Sequence, residues 1–73
     1  MNNLICDLVN AVFDGATKEV NFTVSFETHH GRNTFNVWAF TRNKGYLILG
    51  NVALDINESN VRKAIIEIKG FKP

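Results

Sequence analysis

The sequence predicts an α+β fold in which a helix, a three-stranded antiparallel meander and a second helix follow in order, with both helices on one sheet face. Three observations lead there. Apolar residues recur at helical spacing in the first fourteen residues and again after residue 57. Three strand-like runs lie between these stretches, and polar clusters containing a glycine separate the runs.

Taking the elements in order, Asn2 or Asn3 can cap a first helix over residues 3–14, in which Leu4, Ile5, Leu8, Val9, Val12 and Phe13 form one apolar stripe. Gly15 is the expected stop, and Cys6 on the flank of the stripe reads as a small core filler. From Glu19 to Glu27 the chain alternates, with Val20, Phe22, Val24 and Phe26 on one face and Asn21, Thr23 and Ser25 on the other. His29-His30-Gly31-Arg32-Asn33 then leads into strand two, and Arg42-Asn43-Lys44-Gly45 into strand three, each glycine being suited to a bulged hairpin turn. Asp55 and Asn57 precede a second helix over residues 58–69, whose stripe is Val61, Ala64, Ile65 and Ile68. Glu58 at its start and Lys69 at its end match the helix dipole, and Gly70 is the expected stop.

Strands two and three break the alternation. Thr34–Thr41 and Tyr46–Val52 carry bulky apolar groups at both parities, so both faces of the sheet centre need cover. Pairing Thr28 with Asn33 and Thr41 with Tyr46 gathers Phe22, Val24, Phe26, Phe35, Val37, Ala39, Ile48 and Val52 on one face. Small Ala39 and Gly50 on that face favour close approach of the helices. The opposite face then collects Trp38, Phe40, Leu47 and Leu49, roughly 400–600 Å² of apolar surface. At ~25 cal/mol per Å², its burial is worth about 10 kcal/mol. Either another protein surface covers it, from a second copy or from a partner, or helix two packs on that side as helix one packs on the other.

Composition bounds the function. At 73 residues the chain is one domain, residues 1–73, near the lower size limit for a core that folds unaided. Its hydrophobic content of 45% and charged content of 21% are those of a globular protein. A net charge of +1 lacks the basic excess of a domain held to nucleic acid through phosphates. A single cysteine rules out an internal disulfide and suits a reducing cytoplasm. Residues 1–13 lack the basic start and cleavage site of a signal peptide, and no apolar run reaches the ~20 residues of a membrane span. Two glycosylation patterns, Asn21-Phe-Thr23 and Asn57-Glu-Ser59, are expected to be idle in that compartment. Ten asparagines suggest an AT-rich genome, as in many phages and low-GC bacteria.

Chemistry is sparse. His29 and His30 could join Cys6, Asp7 or Asp55 around a metal, but no second pair stands at ligand spacing, and a solvated hairpin tip is the expected role. No phosphate-binding glycine loop, nucleophile elbow or paired carboxylate motif is legible, so neither catalysis nor a cofactor nor a small-molecule substrate is expected. The reading is therefore a non-enzymatic binding protein, a regulator or inhibitor. It docks on a protein partner or forms a homodimer through Trp38, Phe40, Leu47 and Leu49, with Arg42 and Lys44 as rim.

The order helix, three strands, helix also resembles the topology of the double-stranded-RNA-binding domain over nearly the whole chain. That resemblance implies that the first hairpin loop reaches a minor groove while cations at the start of the second helix meet phosphates. The matching positions are His29, His30 and Arg32 in the loop, with Arg62 and Lys63 in the helix. Asn57-Glu-Ser-Asn-Val-Arg-Lys stands where that family has a lysine-rich helix start, with Asp55 and Glu58 opposing the charge. Nucleic-acid binding is the alternative function.

Overall fold

A computed structural model describes residues 1–72 of the chain. Helix α1 covers Asn2–Asp14, strand β1 Asn21–His29, strand β2 Arg32–Phe40, strand β3 Gly45–Leu47, strand β4 Leu54–Asp55 and helix α2 Glu58–Gly70. The α+β class, the helix-strands-helix order and the placement of both helices on one sheet face are as the sequence predicts. Strand β4 is additional, and a single 3-10 turn, Ile48–Gly50, replaces the second half of the expected third strand.

Met1 stands at the cap position of α1 and makes no side-chain cap, so neither Asn2 nor Asn3 fills the expected role. Gly15 at the C-terminal end of the helix is required for a steric reason. The Gly15 backbone stays right-handed, and a Cβ there would lie 2.8 Å from Cε2 of Phe22. The Thr17 hydroxyl then accepts hydrogen bonds from the N–H groups of Glu19 and Val20, and the Thr17 N–H donates to the Val20 carbonyl. This bend delivers the chain to β1.

Strands β1 and β2 pair without interruption from Asn21↔Phe40 to His29↔Arg32. Their two-residue link has positive φ at both His30 and Gly31, the arrangement of a type I′ hairpin, where the sequence suggested a bulged turn. Beyond β2, the same edge is shared by two short strands. β3 pairs with Trp38–Phe40 and β4 with Thr34 and Phe35. Between them Leu49 and Gly50 take φ of 59° and 65°, turning the chain off the sheet. The β2–β3 hairpin closes two residues tighter than expected, the Thr41 N–H donating to the Lys44 carbonyl, so Trp38 faces Leu47 instead of Leu49. The register differs by two residues from the expected one, and an even shift leaves the residues of β3 on their expected faces.

One core lies between sheet and helices. Phe35, Val37 and Ala39 of β2 are wholly buried against Leu8 of α1 and Val61 and Ala64 of α2, with Phe22, Ile48 and Leu54 around them. The helices therefore share the face of Phe22, Phe35, Val37 and Ala39, and neither covers Trp38. Four expected core positions are not in the core. Val52 and Cys6 are exposed, Phe13 is 73% exposed and Phe26 is 45% exposed. Gly50 serves the turn, since a Cβ there would meet nothing within 4 Å. Among the described residues no helix is long and apolar enough to cross a membrane.

Helix α2 is capped by Asn57, whose side-chain oxygen accepts the Asn60 N–H at 2.8 Å. Beyond its end Phe71 meets Phe22 and Tyr46 edge to face, closing one end of the core.

Candidate protein-contact face

The side chains that β2 turns away from the helices divide the outer sheet face into two halves. At the β3 end lie Trp38 and Phe40, with ring centroids 6.1 Å apart and planes inclined by 18°. Trp38 is flanked by Thr23 on β1 and Leu47 on β3, and Phe40 by Asn21 and Gly45. Gly45 has a function here that its sequence did not reveal. Its φ is not positive, so it is not a turn glycine. A Cβ at this position would stand 2.9 Å from Cε1 of Phe40 and 3.4 Å from Trp38, so the missing side chain is the seat on which the Phe40 ring lies. An aromatic ring laid over a cross-strand glycine shields the bare backbone and fixes the ring's orientation.

Of the four expected anchors, Trp38, Phe40 and Leu47 stand together on this face. Leu49 does not. Its left-handed backbone carries it off the sheet, and it packs against the core cluster. Phe40 is 39% exposed, while Trp38 and Leu47 are half-buried by their neighbours. The three leave on the order of 200 Å² of apolar surface, less than half of what four open side chains would present.

The expected rim is also divided. Arg42 and Lys44 sit in the β2–β3 turn, which the Thr41 hydroxyl braces by accepting the Asn43 and Lys44 N–H groups. Lys44 leans to the helix side, with Nζ 4.6 Å from the Tyr46 ring centroid. Its charge is thereby drawn off the outer face.

The other half of the face is polar. Asn36 donates to the Val52 carbonyl at 3.1 Å, and Thr34 lies between Glu27 and Asp55, which pair with it across both neighbouring strands. Arg32 holds Asp55 through Nη2 at 2.7 Å and Nε at 3.2 Å. The Ile56 N–H bonds the Asn33 carbonyl, and the Asn60 amide bonds the Asp55 carbonyl. The hairpin tip and the start of α2 are thus tied at one end, so His29, His30, Arg32, Arg62 and Lys63 share that end as the meander requires. Two of these five side chains are already paired, Arg32 with Asp55 and Arg62 with Glu58 at 2.9 Å. His29 lies 3.5 Å from Glu27. Among the described residues no three His, Cys, Asp or Glu side chains gather where they could hold a metal ion.

Compared with known proteins, the chain matches no family model, no curated protein and no solved structure.

Proposed function

We propose that this chain is a non-enzymatic binding protein of the cytoplasm, a regulator or inhibitor, that docks another protein on the Trp38–Phe40 end of its outer sheet face. The observation that carries this reading is the near-parallel Trp38–Phe40 pair, seated on Gly45 and backed by Leu47, on a face with no helix over it. Trp and Phe held flat beside an aliphatic neighbour, within a rim of Asn21, Thr23 and Ser25, match the apolar centre and polar margin of a protein interface. A strand of nucleic acid stacked on the same rings needs cations along its path. Here Lys44 turns away, and Glu27 and Asp55 occupy the far half of the face.

The test compares capture of proteins from a nuclease-treated extract by the wild-type chain, by a Trp38→Ser/Phe40→Ser double variant and by Ile66→Ser on the exposed flank of α2. The proposal expects one protein retained by the wild type and by Ile66→Ser, and lost by the double variant. Retention by the double variant overturns it. So does retention seen only when the nuclease is omitted, or retention that falls steeply with added salt, the behaviour of phosphate contacts.

A further inference from the structure

Strand β1 has one paired edge and one open edge. Among the described residues it pairs only with β2, and along the nine residues Asn21–His29 it carries no proline, no lysine and no bulge. Proline, charge and bulges are the devices with which natural sheets protect an edge from another strand, and Glu27 is the one carboxylate among these residues. Which backbone groups face outward follows from the hairpin. His29 and Arg32 close a two-residue turn and so exchange hydrogen bonds, and the odd-numbered residues of β1 repeat that arrangement toward β2. The N–H and C=O groups of Phe22, Val24, Phe26 and Thr28 therefore point away from the sheet. The Thr17–Val20 bend already occupies the start of this edge, since the outward Val20 carbonyl accepts the Thr17 N–H. The open stretch runs from residue 22 to residue 28, and its centre is Ser25.

We infer that this edge pairs antiparallel with β1 of a second copy of the chain, about a two-fold axis at Ser25. The axis matches every outward group with another outward group, Val24 with Phe26 of the copy and Phe22 with Thr28. It places Ser25 opposite itself and Thr23 opposite Glu27, so no like charges meet. It also accounts for two aromatic side chains that the monomer leaves in water. Phe26 is 45% exposed on the helix side of β1, and the copy brings Val24 beside it. Phe13 is 73% exposed on the flank of α1 turned away from the α2 groove, whose α1 wall is Leu4, Asp7, Asn10, Ala11 and Asp14. With α1 packed on β1 and α2 on the Ile48–Gly50 turn, that flank looks toward the open edge. The chain thus carries backbone donors and acceptors, Phe26 and Phe13 on one side, in an order that is complementary to itself when reversed.

The two-fold is perpendicular to the joined sheet, so both outer faces look the same way. Three strand spacings and a four-residue offset put the two Trp38 residues about 20 Å apart. The pairing does not depend on what those rings bind.

The test uses single cysteines in a Cys6→Ser background, oxidised by glutathione disulfide. Directly opposed residues of a non-hydrogen-bonded pair have Cα atoms ~4.5 Å apart, within disulfide reach. Ser25→Cys should form a covalent dimer. Thr23→Cys alone and Glu27→Cys alone should not, because each lies ~13 Å from its own copy, while a mixture of the two should form a crosslinked heterodimer. Sedimentation should give twice the 8.2 kDa chain mass for the wild type and for Trp38→Ser/Phe40→Ser, and the monomer mass for Phe26→Lys. A monomeric wild type at ~1 mM, weaker than any millimolar association, overturns the inference. A dimer lost in the Trp38/Phe40 variant but kept in Phe26→Lys also overturns it, and would show that the copies meet face to face.

Discussion

At Thr34 the structure buries a polar residue of β2. The side chain is 2% exposed, and Oγ1 has no hydrogen-bond partner among the described residues. A buried hydroxyl without a partner costs about 1–3 kcal/mol, which an isosteric methyl avoids. Thr34→Val should therefore raise stability by about 1 kcal/mol, read as a higher urea midpoint at unchanged slope. Gly45 gives the opposite sign. The Cβ of Gly45→Ala must displace the Phe40 ring, and overpacking of this kind costs about 1–3 kcal/mol. The same variant should shift Trp38 fluorescence, because the ring it displaces is stacked on the indole. Neither role was legible in the sequence. A glycine after a polar cluster signals a turn, and nothing local distinguishes a glycine needed for φ from one needed for the space above it.

Among the elements, the two helices differ in how their starts are secured. Asn57 caps α2, so Asn57→Ala should cost about 1 kcal/mol of unfolding free energy. Asn2→Ala should change nothing measurable, because α1 begins without a side-chain cap. Both measurements are denaturant titrations followed by circular dichroism. Helix existence, strand order and the face of each sheet residue were legible because period 3.6 and period 2 are written locally. Strand β4 and the end of β3 were not. Leu54–Asp55 is a strand only because the chain comes back past Phe35 and Thr34. Leu49 takes a left-handed conformation that costs a side-chain-bearing residue roughly 1–2 kcal/mol, and its packing on the core offsets that cost. Both are tertiary effects that overrule a β-prone run. Leu49 consequently left the candidate site, whereas Trp38, Phe40 and Leu47 stayed in it because their parity survived the two-residue shift.

For the whole molecule, association and stability are linked. If copies join through β1, the wild-type melting temperature should rise with protein concentration, while that of Phe26→Lys should not. Calorimetry over a hundredfold concentration range checks this. The two-layer build has a further effect. Along β2, Phe35, Val37 and Ala39 serve the core, and the residues between them, Asn36 and Trp38, meet whatever lies outside. Only the backbone of one sheet separates the two sets. If the outer face docks a protein as proposed, successive codons of a single strand answer to two different demands, one for folding and one for recognition. Substitutions at Asn36 and Trp38 should then change what is bound while leaving the fold intact.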